Sequence, residues 1–473
     1  MDTRSRARSC FARWQVNLLP YEEVFMSSQS IKRVSVIGLG YIGLPTAALF
    51  ASRQVQVIGV DINQHAVDTI NQGRIHIVEP ELDKVVKEAV DGGYLRATTQ
   101  PEPADAYLIA VPTPFRENHE PDLSYIEAAA KAIAPQLARG NIVILESTSP
   151  VGATEQMVQW LAEARPDLRF PAKDSGDGEI DVHVAYCPER VLPGQVVREL
   201  VENDRIIGGL TQESSNRACQ VYRIFVRGKL LVTDARTAEM SKLTENAFRD
   251  VNIAFANELS LICDKLDINV WELIDLANHH PRVSILRPGA GVGGHCIAVD
   301  PWFIVSKTPQ QARLVQTART VNDSKPHWVV EEIQGASALA RLQGKKEEDV
   351  KIALLGLAFK PDIDDLRESP ALHIATEIAA KHRGQFLVVE PNVEALPAAL
   401  SGARLVSLEE AIAQADVVAV LVAHTPFQGL RGVLRDSQIV VDAVGVVDSK
   451  AIAISAGFEE AQNEAAATTA RAA

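Results

Sequence analysis

The chain has 473 residues, of which 47% are hydrophobic and 23% charged, and its formal net charge is −14 at pH 7. These values are typical of a globular protein with about two to four domains. The acidic balance, without a basic stripe, excludes a typical nucleic-acid-binding protein, and no apolar run reaches the ~20 residues that cross a lipid bilayer.

Residues 1–30 differ from the rest of the chain. They are rich in arginine at positions 4, 6, 8 and 13 but lack the apolar core of a secretory signal. We interpret them as a disordered extension, or as an upstream start that leaves Met26 as the first residue of the folded part. The alternative is an organelle-targeting segment.

From Ile31 onward, short β-branched apolar runs alternate with longer helical stretches. The runs at 34–38, 55–61, 106–111 and 142–146 predict buried parallel strands. Their spacing indicates βαβ units of a doubly wound sheet.

A GxGxxG motif formed by Gly38, Gly40 and Gly43 follows the first of these strands directly. Glycines in this pattern permit the turn, let backbone N–H groups approach a pyrophosphate and let the helix pack on the strand. Asp61, at the end of the next strand, would accept hydrogen bonds from ribose hydroxyls and repel a 2′-phosphate. The motif therefore predicts NAD rather than NADP; the alternative is a plain tight turn beside a surface aspartate.

Residues 237–265 contain neither proline nor glycine and predict one long helix, and the polar stretch 341–349 predicts a linker or surface turn. After this stretch the pattern of the first half repeats. Residues 351–356, 387–391, 415–427 and 439–443 are similar in sequence or position to residues 33–38, 57–61, 104–115 and 142–146, respectively. Two copies of one α/β unit with a helical segment between them explain this pattern. The second copy keeps Gly356 but lacks the other two glycines, so we expect it to bind a different ligand.

A loop with four glycines, at positions 289, 291, 293 and 294, precedes Cys296 and Asp300. A segment with so many glycines loses much backbone entropy on folding. This cost favours a loop whose backbone must pass close to a ligand. Cys296 is then a candidate nucleophile. The alternative is a cysteine that is simply buried in the core, as free cysteines usually are. The five cysteines of the chain show no CxxC spacing, so we expect no metal site and a reducing, cytoplasmic location.

Lys242 and Asn246 are one turn apart on the long predicted helix. A lysine and an amide in this arrangement can stabilise an alkoxide or a tetrahedral oxyanion. A solvated helix face is the alternative.

Several motifs, taken together and in chain order, resemble those of the UDP-glucose/GDP-mannose dehydrogenase family over essentially all of residues 31–445. They are SVIGLGYIGLP, VDIN, VPTP, ESTSPVG, CPERVLPG, EMSKLTENAFRDVNIAFANE, GVGGHCIAVDP and GLAFKPDIDDLRESP. The resemblance implies an α/β fold with two Rossmann-like doubly wound domains joined by a long central helix. We expect an extension at 1–30, an NAD-binding domain at 31–210, a central helical dimerisation and catalytic region at 211–335, a UDP-sugar-binding domain at 336–450 and a tail at 451–473.

The resemblance also implies residue roles. Cys296 would be the nucleophile, and Lys242 with Asn246 would polarise the C6 oxygen and exchange protons with it. Asp300 and Thr148 would position or activate water, and Glu189 would assist thioester hydrolysis. Besides the three motif glycines, the implied NAD contacts are Tyr41, Ile42, Asp61, Thr113, Thr148 and Arg367. The implied sugar-nucleotide contacts are Arg190, Val191, Lys242, Asn246, Arg249, His280, Arg282, Gly293, Phe359 and Lys360, with Arg282 coming from a second subunit.

We therefore expect a four-electron oxidation of a UDP-sugar at C6, with UDP-N-acetylmannosamine favoured. UDP-glucose, UDP-N-acetylglucosamine and GDP-mannose remain alternatives, because Val444 stands where similar proteins carry Lys or Arg. A catalytically silent NAD-binding protein is the rival of another class. We also expect a homodimer, with a seam along the predicted helix formed by Leu243, Phe248, Ile253, Phe255 and Leu259; burial within one subunit is the alternative for this face.

Overall fold

The computed structural model describes residues 31–77, 79–116, 119–171, 180–191, 194–294 and 296–447. The predicted extension at 1–30 and tail at 451–473 lie outside these residues. The chain divides into two compact units, Met1–Glu245 and Asn246–Ala473, here called unit 1 and unit 2. Within the described ranges, no helix is long and apolar enough to cross a lipid bilayer.

Unit 1 is built on an eight-stranded sheet. Its strands are β1 (Arg33–Ile37), β2 (Gln56–Val60), β3 (Leu95–Thr98), β4 (Ala106–Ile109), β5 (Ile142–Leu145), β6 (His183–Tyr186), β7 (Arg205–Gly209) and β8 (Leu230–Asp234). The order is β3-β2-β1-β4-β5-β6-β7-β8, and all described pairs are parallel except β6 with β7. The four predicted strands are confirmed. The sheet continues to Asp234, beyond position 210, where the sequence suggested a domain boundary.

Helices cover both faces of this sheet. They are α1 (Gly43–Ser52), α2 (Gln64–Asn71), α3 (Leu82–Asp91), α4 (Ser124–Ile133), α5 (Ala153–Ala164), α6 (Val196–Glu202) and α7 (Gln212–Tyr222). Separate apolar clusters lie on the two faces, so the central strands β1, β4 and β5 are buried on both sides. This double burial explains their continuous apolar runs.

The predicted long helix is confirmed as α8 (Ala235–Lys265), with 31 residues. Asp234 precedes it and accepts hydrogen bonds from the N–H and the hydroxyl of Thr237. These contacts satisfy donors that the first turn leaves without helical partners.

Unit 2 contains the second copy. Its elements are α9 (Val270–Asn278), α10 (Asp300–Lys307), α11 (Arg313–Leu342), β9 (Ile352–Leu355), α12 (Pro370–Lys381), β10 (Phe386–Val389), β11 (Arg404–Leu405), α13 (Leu408–Gln414), β12 (Val417–Val420) and β13 (Ile439–Asp442). The five strands are parallel in the order β11-β10-β9-β12-β13. This order matches that of β3-β2-β1-β4-β5, so the predicted internal repeat is confirmed. The predicted linker lies between α11 and β9 and is interrupted by a short 3₁₀ turn at Glu347–Asp349.

Candidate active site

The turn between β1 and α1 leaves no room for a side chain at two of its three glycines. Gly38 has a φ of 90°, and a Cβ there would lie 2.6 Å from the carbonyl oxygen of Ala110. A Cβ at Gly43 would lie 1.7 Å from the carbonyl oxygen of Gly38. A Cβ at Gly40 would meet nothing within 4 Å. Protein packing therefore does not require the middle glycine, and the open space beside it fits the close approach of a pyrophosphate.

Asp61 follows β2 and holds this turn. Its Oδ2 accepts a hydrogen bond from the N–H of Leu39 at 2.9 Å, and its Oδ1 accepts one from the N–H of Asn63 at 2.9 Å. A carboxylate oxygen has two lone pairs, so each keeps one for a ribose hydroxyl. The buried Oγ1 of Thr113 has no hydrogen-bond partner among the described residues. These free acceptor and donor positions fit a dinucleotide with unmodified ribose hydroxyls.

The candidate contacts at the start of α1 are accessible, since Tyr41 is exposed and Ile42 half-buried. Arg367, the candidate NAD contact in unit 2, donates from Nε and Nη2 to the carboxylate of Asp365.

A buried cluster of two carboxyl groups and one guanidinium lies at the ends of β5, β6 and β7. Arg205 donates from Nη1 to Glu146 at 3.3 Å and from Nη2 to Glu189, and its guanidinium lies over the ring of Tyr222 at 4.3 Å. The hydroxyl of Tyr222 donates to Glu146 at 2.7 Å. Burial raises the pKa of Glu146 to about 7, although Arg205 acts in the opposite direction. At neutral pH this cluster can therefore hold a proton.

Other candidates in unit 1 lie near these strand ends and on α8. Arg190 forms an ion pair with Glu245 at 2.8 Å, and its neighbour Val191 is half-buried, as are Thr148 and Lys242. Earlier in the same helix, the buried Glu239 accepts hydrogen bonds from the N–H groups of Gly152 and Thr154. The face that carries Glu239 is therefore not a simple solvated surface.

In unit 2 the structure brings three candidates together. Asn246 donates a hydrogen bond from Nδ2 to Oδ2 of the buried Asp300. The N–H of Asp300 donates to the carbonyl oxygen of Cys296 at 2.8 Å, so Cys296 lies one turn before the start of α10. Cys296 is half-buried. By contrast, Cys187, Cys219 and Cys263 are buried, and burial raises the pKa of each thiol.

The glycine-rich loop before Cys296 passes close to protein. A Cβ at Gly291 would lie 2.9 Å from Pro326 and from Pro370, and a Cβ at Gly293 would lie 2.5 Å from the carbonyl oxygen of Glu368. A Cβ at Gly294, where φ is 81°, would lie 3.0 Å from the ring of Phe359. We expected these glycines to make room for a ligand, but neighbouring segments of unit 2 already require them.

The remaining sugar-nucleotide candidates are mostly accessible. Arg249, His280, Arg282 and Lys360 are exposed, and Phe359 is half-buried. The N–H of Arg282 donates to Nδ1 of His280 at 3.3 Å. Val444 packs against the apolar core of the second sheet.

Sequence reasoning missed Glu146, Arg205 and Tyr222. The signal was weak, because Glu146 was taken as the last residue of a strand and Arg205 lies in an otherwise apolar run. It also missed the histidine and carboxyl groups of the second sheet, Glu390, His424 and Asp362.

Three family models match the chain in order. The NAD binding domain of the UDP-glucose/GDP-mannose dehydrogenase family matches residues 32–226, its central domain matches 236–324, and its UDP binding domain matches 353–449.

Individual proteins are similar over most of the chain. A UDP-N-acetyl-D-mannosamine dehydrogenase of Salmonella typhi is 65% identical over 419 residues, which are 88% of this chain and 99% of that protein. An NDP-N-acetyl-D-galactosaminuronic acid dehydrogenase of Ralstonia nicotianae is 62% identical over 422 residues, 89% of this chain and 98% of that one. Among solved structures, a UDP-N-acetyl-mannosamine dehydrogenase of Staphylococcus aureus is 40% identical with a TM-score of 0.76, covering 88% of this chain and 95% of that chain.

Proposed function

The chain belongs to the UDP-glucose/GDP-mannose dehydrogenase family, and we propose that it oxidises UDP-N-acetyl-D-mannosamine at C6 to UDP-N-acetyl-D-mannosaminuronate. Two NAD molecules accept the four electrons. NAD is held by the family's NAD binding domain. We assign NAD binding to residues 31–210, catalysis and dimerisation to 211–335, and binding of the UDP-sugar to 336–450.

The observation that carries this proposal is the group formed by Cys296, Asn246 and Asp300. In this group the half-buried Cys296 lies one turn before Asp300, whose buried carboxylate is held by the amide of Asn246. A dehydrogenase that stopped at the aldehyde would not need this thiol. A covalent relay needs one, together with a group that handles water.

The chemistry follows from these side chains. After the first hydride leaves C6, Sγ of Cys296 adds to the aldehyde carbon and forms a C–S bond. Loss of a second hydride converts this thiohemiacetal into a thioester. Water then adds to the thioester carbon, the C–S bond breaks, and the carboxylate leaves with the thiol restored. NAD, when bound, supplies the hydride acceptor for both oxidations.

We assign further roles to the neighbouring residues. Lys242 and Asn246 polarise the C6 oxygen and exchange its proton. Asp300 and Thr148 position or activate the water, and Glu189 assists thioester hydrolysis. Covalent retention keeps the aldehyde in the site until the second oxidation.

Binding is assigned to the two sets of residues that the family resemblance singled out. For NAD they are Gly38, Gly40, Tyr41, Ile42, Gly43, Asp61, Thr113, Thr148 and Arg367. For the UDP-sugar they are Arg190, Val191, Lys242, Asn246, Arg249, His280, Arg282, Gly293, Phe359 and Lys360. The open space beside Gly40 and the free hydroxyl of Thr113 support the first set.

The direct test counts NADH formed per sugar consumed, across a panel of UDP- and GDP-sugars. We expect two NADH per UDP-N-acetylmannosamine and the highest kcat/KM for that sugar. A ratio of one would contradict the double oxidation. A preference for a galactosamine-type sugar nucleotide would instead favour a function like that of the 62% identical Ralstonia relative, which is named an NDP-N-acetyl-D-galactosaminuronic acid dehydrogenase.

The covalent step is tested by Cys296→Ala, with Cys263→Ala as the matched control at a buried thiol. Cys296→Ala should bind NAD normally and form no uronate, whereas the control should turn over like the wild type. Uronate formation by Cys296→Ala would defeat the covalent scheme.

We also propose a cytoplasmic homodimer. The predicted seam divides into two parts, because Leu243 is buried within the chain whereas Phe248 and Phe255 are 68% and 52% exposed. Ile262 continues the same seven-residue spacing and is 45% exposed. An exposed apolar stripe of this kind supports association. Phe248→Glu should produce monomers in light scattering after size-exclusion chromatography; an unchanged dimer would exclude this face.

A further inference from the structure

A buried hydrogen-bond network in the second sheet holds the loop that follows β9. Oε2 of Glu390, at the end of β10, accepts hydrogen bonds from the N–H groups of Leu357 and Ala358 at 2.7 and 3.1 Å. Its Oε1 accepts one from the N–H of Asn392 at 3.1 Å. Glu390 and His424 are both buried, and they meet at 3.0 Å. Burial alone would raise the pKa of Glu390, but these hydrogen bonds, first among them that from His424, lower it.

His424 connects this carboxylate to the far end of the loop. Its Nδ1 accepts a hydrogen bond from the N–H of Asp362 at 2.9 Å. Because Nδ1 is the acceptor, Nε2 carries the proton and donates a hydrogen bond to Oε2 of Glu390. Asp362 has a φ of 61° and is further fixed by Thr425, whose N–H and hydroxyl donate to its carboxylate at 2.8 and 2.7 Å. Both ends of the loop 357–362 are therefore attached to the sheet.

The first sheet shows what is unusual about this arrangement. There Asp61 also accepts the N–H of the residue after the first glycine of the turn, Leu39, as Glu390 accepts that of Leu357. The acid and its loop contact are thus retained in both copies. In the second copy, however, the oxygen that accepts from the loop also accepts hydrogen bonds from the N–H of Ala358 and from His424.

Thr113 and Thr425, which occupy corresponding positions in the two copies, also differ in whether the protein satisfies their hydroxyl groups. The buried hydroxyl of Thr113 has no partner among the described residues, whereas that of Thr425 donates to Asp362. The second copy therefore satisfies internally the polar groups that the first copy leaves for a dinucleotide. Its loop is held by protein contacts and does not depend on a ligand for its shape.

We infer that His424 is a positioning residue for the sugar-nucleotide site, which acts by fixing the loop 357–362 through the N–H of Asp362. This loop carries Phe359 and Lys360, so the inference rests on the proposed function, in which these two residues bind the UDP-sugar. Phe359 also limits the space at Gly294, only two residues before Cys296. A displacement of this loop would therefore alter the contacts proposed for the UDP-sugar and also the packing of the glycine-rich loop just before Cys296.

Two substitutions at His424 separate its two hydrogen bonds. In His424→Asn the amide oxygen lies near the position of Nδ1 and can still accept from Asp362, but the contact with Glu390 is lost. In His424→Gln the amide lies near the position of Nε2 and can still donate to Glu390, but the N–H of Asp362 loses its acceptor. A merely structural role predicts similar losses in both variants, because each removes one of the two hydrogen bonds of His424.

The measurement is the Kd of UDP for the full-length protein by calorimetry, with the Kd of NAD and the thermal midpoint measured alongside. We expect UDP affinity to fall about tenfold in His424→Gln and to stay within about threefold of the wild type in His424→Asn, since only His424→Gln removes the acceptor that holds the N–H of Asp362 at the far end of the loop. NAD affinity should not change in either. His382→Gln is the matched control, because this half-buried histidine in the same unit contacts the carbonyl oxygen of Val350 and not the loop.

The outcomes distinguish the inference from the function on which it rests. Equal UDP affinity in the Asn and Gln variants, or a greater loss in Asn, would overturn the role of His424 while leaving the proposed function intact. Failure of the wild-type protein to bind UDP would overturn both.

Discussion

The buried cluster around Glu146 makes a quantitative prediction about pH and stability. Burial raises the pKa of Glu146 from 4.5 to about 7, so between these values the folded protein holds a proton that the unfolded chain has released. The contribution of Glu146 to stability is then greatest below about pH 4.5 and falls as pH rises towards 7. At about 1.4 kcal/mol per pH unit, the loss over this window is about 3 kcal/mol. Glu146→Gln keeps an acceptor for Tyr222 and removes the titration, so we expect it to escape this loss.

The assay is hydrogen exchange of peptides from β5 and β7 across a urea series, repeated between pH 5 and 8. The free energy of opening of the variant relative to the wild type should rise with pH and level off above about pH 7. Glu163→Gln is the control, because this residue is exposed on α5 and its substitution should give a pH-independent difference. Parallel pH profiles for the wild type and Glu146→Gln would refute the argument that Glu146 holds a proton.

Three further predictions concern single contacts. Asp61→Ala should raise the Kd of NAD at least about tenfold without changing that of UDP, because hydrogen bonds to a charged group contribute about 1.5–3 kcal/mol; calorimetry with both ligands checks this. Gly43→Ala should lower the free energy of unfolding by about 2–3 kcal/mol and weaken NAD binding, since its Cβ overlaps the carbonyl oxygen of Gly38; urea unfolding and NAD titration measure the two effects. Arg319→Met should cost about 3–5 kcal/mol in urea unfolding, because it leaves the buried carboxylate of Asp250 without its guanidinium.

The fold was predictable wherever a strand is buried on both faces, because such a strand has a continuous apolar sequence. Strands β1, β2, β4 and β5 satisfy this condition, as do β9, β10 and β12 in the second half, and all were found. Strand β13 is half-buried at its start and was predicted from its similarity to β5. The sequence did not reveal β6, β7 and β8 as members of the same sheet. The run in β7 begins with a buried arginine and ends in two glycines, and β6 pairs with it in antiparallel fashion. A strand with such a composition does not follow the βαβ pattern.

The glycine-rich loop illustrates a limit in interpreting the active site. Its composition correctly indicates that backbone must pass close to something, because glycine is required only where a Cβ has no space. Sequence alone does not identify the neighbour. In the structure the neighbours of Gly291, Gly293 and Gly294 are prolines, a carbonyl oxygen and Phe359. Cys296 nevertheless lies close to Asp300, because a single hydrogen-bonded turn before α10 joins the carbonyl oxygen of Cys296 to the N–H of Asp300.

The clusters that sequence reasoning missed share one physical property. Glu146 and Arg205 are 59 residues apart, and Glu390 and His424 are 34 residues apart. Each pair joins the ends of different strands at one edge of a sheet. Glu390 and His424 follow the parallel strands β10 and β12, whose carboxyl ends meet. Glu146 follows β5, whereas Arg205 begins β7, which is antiparallel to β6 and so brings its first residue to the same edge. Periodicity detects the strands but carries no information on which ends meet. A buried charge needs a partner, so a carboxyl group that ends a strand buried on both faces, as at Glu146 and Glu390, marks where such a partner must be sought.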